Sequence, residues 1–147
     1  MGGYYKCNYL DKLTNLKGAP EWIGGNFECD YDSALTSLVG GPDYVGGRFI
    51  CESTSITTLE GGPKYVGNYY DCGYCRSLVS FEGAPEKLNN EFYCVSCDKV
   101  KNLQGCPREI NGNFKVAECN GLTSLVGGPD RVSGNYWCYE NKNLISL

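Results

Sequence analysis

Residues 38–51, LVGGPDYVGGRFIC, contain the pattern that decides the fold of this chain. The stretch follows the formula L-x-G-x-P-x-x-V-x-G-x-F-x-C, and the same formula recurs along the sequence. All six prolines occupy one column of it, because 22, 21, 22, 22 and 22 residues separate Pro20, Pro42, Pro63, Pro85, Pro107 and Pro129. The chain is therefore a tandem repeat. Its repeats start at residues 16, 38, 59, 81, 103 and 125, after a half repeat over residues 1–15, and the final Leu147 opens another.

The second half of the formula predicts a turn followed by a short strand. Only glycine and asparagine occur five residues after the proline, at Gly25, Gly47, Asn68, Asn90, Gly112 and Gly134. These residues tolerate positive φ, so the column predicts a left-handed turn. An aromatic residue, a variable residue and, in every repeat but one, a cysteine follow, as in Phe49, Ile50 and Cys51. This alternation is typical of a half-buried strand.

A unit of 22 residues with one strand and a Gly-x-Pro segment has no room for a capped helix. It cannot bury its apolar face alone, but it can do so when it is stacked on identical neighbours. The sequence therefore predicts one domain over residues 1–147, a β-solenoid with one short parallel strand per turn. We expect about seven rungs, where a rung is one repeat of the stack, and essentially no α-helix.

The repeat resembles that of leucine-rich-repeat proteins. The period lies in their range, and Tyr136, Cys138, Asn141 and Leu144 are similar to the F-x-C-x-x-N-x-x-L signature of the family. The most similar members are the short, helix-poor repeats of bacterial effector proteins and of bacterial and phage proteins. The resemblance implies a solenoid that binds other molecules, as a bacterial or phage interaction protein would. The column at the asparagine position departs from the family, since it contains Leu10, Asp32, Thr54, Cys75, Cys97, Cys119 and Asn141.

Composition argues against several classes of function. Thirteen basic and seventeen acidic residues give a net charge of −4, which disfavours nucleic acid as a partner. The absence of histidine removes the usual catalytic triads and imidazole metal sites, and no apolar run is long enough to cross a membrane. We therefore expect a protein that is not an enzyme and has no cofactor. The start Met-Gly-Gly-Tyr has no secretory leader, which predicts a cytoplasmic location.

The ten cysteines allow three interpretations. Buried free thiols are favoured, because cysteine is small and readily buried and a column of identical residues follows from repeat duplication. A zinc site is the second, since Cys72, Cys75, Cys94 and Cys97 match the C-x2-C-x15–20-C-x2-C spacing. Disulfides between neighbouring rungs are the third.

Two surfaces are candidates for binding. Side chains beside the inward strand positions vary from repeat to repeat, and the predicted binding residues on this face are Tyr69, Asp71, Tyr93, Val95, Lys115, Trp137 and Tyr139. Together with Ala117 the later ones form an aromatic and apolar area, whereas Glu28, Asp30, Glu52 and Asp71 make the earlier rungs acidic. A protein partner fits such an area. Sugar rings stacked on the aromatics, or ordinary surface tyrosines without a ligand, are the alternatives.

The second candidate surface is the pair of solenoid ends. The first rung has no rung before it and the last rung has none after it, so some of their apolar positions are uncovered. These positions are Tyr5, Leu10, Leu13, Leu144 and Leu147. Copies of the chain could therefore associate through their ends as filaments or dimers, which makes a structural, self-assembling protein the alternative function.

Overall fold

A computed structural model describes residues 2–147 and shows a helix-free parallel β-solenoid. The main sheet has seven parallel strands, one per rung, and six turns of the chain separate its first strand from its last. Its strands are β1 (Tyr5–Lys6), β3 (Phe27–Glu28), β5 (Phe49–Ile50), β7 (Tyr70–Asp71), β9 (Phe92–Val95), β11 (Phe114–Ala117) and β13 (Tyr136–Tyr139). The predicted solenoid, its parallel strands about 22 residues apart and its lack of helix are confirmed. Within residues 2–147 no helix is long and apolar enough to cross a membrane.

Each of six turns carries a second strand of two residues, which the repeat formula did not predict. These lateral strands are β2 (Trp22–Ile23), β4 (Tyr44–Val45), β6 (Tyr65–Val66), β8 (Lys87–Leu88), β10 (Glu109–Ile110) and β12 (Arg131–Val132). They form two separate parallel sheets of three strands, β2-β4-β6 and β8-β10-β12. The inner residue of each strand is the aliphatic residue of the formula, such as Val45, which is fully buried. The aliphatic column therefore forms a second wall of the core.

The aromatic column of the main strands lies inward, as the alternation predicts. Phe27, Phe49, Tyr70, Phe92 and Phe114 are all fully buried. Rings of adjacent rungs contact each other along the whole stack, with centroid separations from 4.8 Å for Phe114 and Tyr136 to 5.8 Å for Phe92 and Phe114. Because every turn adds one ring to this column, each rung depends on its neighbours for burial.

The predicted position of the left-handed turn is wrong. Positive φ occurs instead at the glycine two residues before each proline, with φ from 83° to 99°, and at one non-glycine residue just after each main strand, such as Tyr31 and Ser53. The preference for glycine in the predicted turn column has a different explanation at Gly47. A Cβ atom there would lie 2.8 Å from the carbonyl carbon of Gly25. Close approach of successive rungs, rather than backbone handedness, accounts for glycine there.

The column at the asparagine position links the rungs through backbone groups. Cys75 Sγ donates a hydrogen bond to the carbonyl of Cys51, one rung earlier, and Cys97 Sγ donates in the same way to Cys72. Asn141 bonds twice to the preceding rung, since its Nδ2 donates to the carbonyl of Val116 and its Oδ1 accepts from the Cys119 amide. These side chains satisfy backbone groups that the turn leaves unpaired in the interior.

Candidate protein-binding face

The outward side chains of the main sheet form one continuous surface, which we call the sheet face. It consists of three columns, which lie before the aromatic residue, between the aromatic residue and the cysteine, and after the cysteine. Parallel pairing holds equivalent residues side by side, for example Asp71 with Tyr93 and Lys115 with Trp137. All seven predicted binding residues lie in these columns: Tyr69, Asp71, Tyr93, Val95, Lys115, Trp137 and Tyr139.

The C-terminal part of the sheet face carries the aromatic patch, which we define as Tyr93, Val95, Lys115, Trp137 and Tyr139. Trp137 is 40% exposed and Tyr139 43% exposed, whereas Tyr93, Val95 and Lys115 are half-buried. The Lys115 ammonium nitrogen lies 5.3 Å from the centre of the Tyr139 ring, which is a cation–π contact. Lys115 and Tyr139, on adjacent strands, therefore restrain each other, so binding would order fewer rotamers there.

The prediction that Ala117 belongs to this surface area is wrong, because its side chain is fully buried. In the register of the sheet it lies between Val95 and Tyr139, and its methyl group is too short to reach the surface beside them. It therefore adds no contact area for a partner.

Neighbouring polar groups fix the orientation of Tyr93. Its hydroxyl donates to Glu91 Oε2, and the Asn113 side chain donates to Glu91 Oε1 over 2.5 Å. Burial, together with the Glu91 carboxylate, raises the pKa of Tyr93, so the phenol remains protonated. The Tyr69 ring contacts the Tyr93 ring edge-on at 5.8 Å, and the Tyr69 hydroxyl accepts from Arg48. The patch thus continues into the middle of the face.

Three carboxylates in the earlier rungs form the acidic strip, which we define as Asp30, Glu52 and Asp71. All three are half-buried. Burial raises the pKa of each carboxyl, and negative neighbours add to the shift: Glu28 at Asp30, Asp71 and Asp30 at Glu52, and Asp30 at Asp71. Among residues 2–147, no lysine or arginine forms an ion pair with any of the three.

Glu28, predicted as part of the acidic surface, has a different environment. It is only 6% exposed, and its carboxylate lies 2.7 Å from Lys6 Nζ and 3.5 Å from Arg48. Two cations therefore cover and neutralise it, and it contributes little negative surface. Lys6 precedes Glu28 in the same column and pairs with it in register, so the sequence contained this signal, whereas Arg48 belongs to the neighbouring column of the next rung.

The column after the cysteine has no side chain at Gly73, between Glu52 and Val95. A Cβ atom there would lie 3.2 Å from Asp71 Oδ1 and 3.5 Å from the Val95 carbonyl oxygen, which alanine would meet with only small adjustments. Gly73 is itself buried, so this position adds no contact area to the centre of the face. Asp71 Oδ1 accepts a hydrogen bond from the Gly73 amide over 2.9 Å.

The cysteines are all free in the structure, and eight of the ten are buried. Residues 2–147 contain no group of three or more histidine, cysteine, aspartate or glutamate side chains that could hold a metal ion. In the predicted zinc quartet, the thiols of Cys72, Cys75 and Cys97 instead donate to carbonyl oxygens of Tyr93, Cys51 and Cys72. Burial raises the pKa of Cys51 and Cys72 well above the ordinary thiol value, so these thiols are protonated and poor nucleophiles.

The two ends of the solenoid expose parts of its core section. Leu10 is 45% exposed, while Tyr5 and Leu13 are half-buried around a depression of about 200 Å³. At the other end Leu147 is 93% exposed and Leu144 is half-buried.

Three comparisons with known proteins complete the description of this site. No family model, no curated protein and no solved structure matches the chain. The structure places the chain in the class of helix-free parallel β-solenoids.

Proposed function

We propose that the chain is a non-catalytic binding module that recognises a protein partner through the sheet face. The observation that carries the proposal is the aromatic patch, in which Trp137 and Tyr139 are exposed on a paired strand. Tryptophan and tyrosine supply large contact area at small entropic cost and are enriched among the residues that dominate interface energies. Variation of the outward columns over an unchanging core also fits a scaffold whose surface is adapted to a ligand.

We further propose that the repeats are of the leucine-rich type. Asn141 supports this, because its side chain bonds twice to the backbone of the preceding rung, at the position where the family has its asparagine. Cys75 and Cys97, at equivalent positions, use the same carbonyl acceptors, and Cys119 Sγ accepts from the Cys97 amide as Asn141 Oδ1 accepts from the Cys119 amide.

Quantitative affinity capture from the native source tests the binding function. The wild-type chain, Trp137→Ala/Tyr139→Ala and the control Tyr44→Ala/Tyr65→Ala are compared after each is shown to be folded by circular dichroism. The control removes two aromatic side chains from the lateral strands, outside the sheet face. We expect proteins captured by the wild type and the control to be lost from the first variant. Equal capture by all three would overturn the proposal.

Association of copies through the solenoid ends is a second candidate, favoured by the exposure of Leu10 and Leu147. In the chain of 147 residues, Leu10→Lys with Leu144→Lys should convert any oligomer to a monomer while the middle rungs stay folded. Sedimentation at high micromolar concentration provides the measurement. A wild-type chain that sediments as a monomer there would exclude this function.

A further inference from the structure

The acidic strip and the aromatic patch are parts of one surface and follow each other along the solenoid axis. Asp30 lies in the second rung and Tyr139 in the seventh, so five rung spacings separate them. At about 4.8 Å per rung this is about 24 Å, which about seven residues of extended polypeptide span at about 3.3 Å each. A short linear segment of a partner can therefore contact both regions at once.

No lysine or arginine among residues 2–147 forms an ion pair with a carboxylate of the acidic strip, and only the longer-range charges of Lys6 at Asp30 and Lys115 at Asp71 act against its negative charge. Elsewhere the fold places a cation within 4.0 Å of a carboxylate, at Glu28, Asp43, Glu109 and Asp130. Burial is the main reason that the pKa values of Glu52 and Asp71 are raised, and the negative charge of Asp30 adds to the shift of both. A cation supplied by a partner would stabilise the charged carboxylates and form charge-assisted hydrogen bonds.

Asp71 is the residue of the strip that lies next to the aromatic patch. It pairs in register with Tyr93, and its Oδ1 accepts a hydrogen bond from the Gly73 amide. A lysine or arginine side chain bound at Asp71 therefore has the Glu52 carboxylate on its N-terminal side and the aromatic patch on its C-terminal side. A second copy of this chain is a poor occupant, because the chain has a net charge of −4 and would bring like charges together.

We infer that the partner segment carries lysine or arginine over the acidic strip, followed in space by aromatic or aliphatic side chains over the aromatic patch. This inference rests on the proposed function, since it specifies the chemistry of the partner for the same face. It also fixes the direction of the contacts along the axis: basic residues at the third and fourth rungs and apolar residues at the fifth to seventh.

Selection from a phage-displayed library of random peptides tests the inference with a defined probe. We expect the peptides enriched on the wild-type chain to contain a lysine or arginine a few residues away from an aromatic or large aliphatic residue. One enriched peptide is then synthesised and its Kd is measured by fluorescence anisotropy. Glu52→Gln/Asp71→Asn should weaken binding at least tenfold, and Trp137→Ala/Tyr139→Ala should do the same.

The control is Glu60→Gln/Glu82→Gln, which removes the same charge from exposed positions outside the sheet face. We expect this control to change the Kd less than twofold. Increasing the NaCl concentration should weaken peptide binding by the wild type and the control, but have a much smaller effect on Glu52→Gln/Asp71→Asn, which keeps only Asp30 of the strip. Burial disfavours the charged forms of Glu52 and Asp71, so the strip variant should unfold at no lower denaturant concentration than the wild type.

The outcomes separate the two proposals. If only the patch variant weakens binding, the binding function stands and the basic partner is excluded. If neither variant weakens it, or if no peptide is enriched above background, the sheet face is not a binding surface and both proposals fail.

Discussion

The N-terminal half of the solenoid, up to β7, and the C-terminal half, from β9, have the same core but different surfaces. On the lateral strands, the outward residues of the first half are Trp22, Tyr44 and Tyr65, which stack as parallel rings. The equivalent residues of the second half are Lys87, Glu109 and Arg131, and the first two form an ion pair of 3.0 Å. One backbone geometry thus accepts an aromatic stack or a row of charges.

The main sheet shows the same division. Strands β1, β3, β5 and β7 have two residues each, whereas β9, β11 and β13 have four. The position after the cysteine contains Asp30, Glu52 and Gly73 in the first half, and these are poor strand formers. In the second half it contains Val95, Ala117 and Tyr139, of which valine and tyrosine favour strands. The inward columns therefore determine the solenoid fold, whereas the outward columns determine strand length and surface chemistry.

The largest predicted effect tests whether the two halves really share one core. Phe49→Ala and Phe92→Ala, one in each half, should each lower the free energy of unfolding by about 3–5 kcal/mol, because the stacked neighbours cannot close the cavity. The matched control is Tyr93→Ala, next to Phe92 but outward, with an expected loss within about 1 kcal/mol. Urea denaturation followed by circular dichroism measures all three. A much smaller loss for Phe49→Ala than for Phe92→Ala would show that the halves differ inside as well.

The next prediction concerns the inward polar column, where the halves carry opposite chemistry. Asn141 both accepts and donates, whereas Asp32 Oδ1 accepts from the Leu10 amide and the buried Asp32 Oδ2 has no partner within the described residues. Asp32 Oδ2 occupies the position that the donating Nδ2 has in Asn141. An ionised carboxylate has no proton to donate there. Asp32→Asn should therefore stabilise the chain by about 1–3 kcal/mol at pH 7, and Asn141→Asp should destabilise it by a similar amount.

The effect of Asp32→Asn should depend on pH in a defined direction. Burial raises the pKa of Asp32 above its ordinary 3.8, so the folded chain binds this proton more tightly than the unfolded chain. The cost of Asp32 is therefore absent below pH 3.8, grows as the pH rises through the folded value, and is complete above it. Denaturation of both proteins at a series of pH values measures the difference. A stabilisation that persists unchanged at pH 3 would contradict this account.

Most of the solenoid fold was predictable from the sequence, for a physical reason. Inward positions recur every 22 residues because each must fit the same neighbour, and the repeated proline, glycine and aromatic residues disclose that constraint. The predicted position of the left-handed turn was wrong because a repeated glycine can indicate either a positive φ or close packing of the backbones of successive rungs. At Gly47 the second cause applies, and sequence alone does not separate the two.

The candidate site was predictable only in part. Alternation placed Tyr93, Trp137 and Tyr139 on the outward face, but burial of Ala117 and neutralisation of Glu28 depend on the lengths of side chains from adjacent rungs. The lateral strands were not predicted, because two residues give no period. Aligned as a column, however, Trp22, Tyr44 and Tyr65 would have indicated the aromatic stack.

A smaller effect would sharpen the contrast between the lateral strands. Tyr44→Ala removes ring contacts at 5.4 Å with Trp22 and at 4.5 Å with Tyr65, and should cost about 1–2 kcal/mol. Its counterpart is Glu109→Gln. The Lys87 contact lowers the pKa of Glu109, but exposed ion pairs are screened by water and salt, so we expect no measurable loss in 0.5 M NaCl. Equal losses in high salt would mean that the two surfaces stabilise the coil in the same way.

The last prediction concerns Tyr70, where the two halves meet. Its ring is fully buried, and its hydroxyl has no hydrogen-bond partner among residues 2–147. The hydroxyl lies 2.9 Å from the point that a Cβ atom would occupy at Gly62, whereas Phe27 and Phe92 face alanine at the equivalent positions, Ala19 and Ala84. Glycine thus provides the space for the hydroxyl without supplying a bond.

Tyr70→Phe should therefore stabilise the chain by about 1 kcal/mol, because a desolvated and unsatisfied group is removed at the cost of a void smaller than a methyl group. The reciprocal variant, Phe92→Tyr, should destabilise it, since the added hydroxyl would be directed at the side chain of Ala84 and would also be buried without a partner. Urea midpoints compared in one buffer resolve differences of this size. A loss of stability in Tyr70→Phe would show that the hydroxyl has an acceptor, such as a buried water molecule, and that the middle rung is held by a polar contact that the other rungs lack.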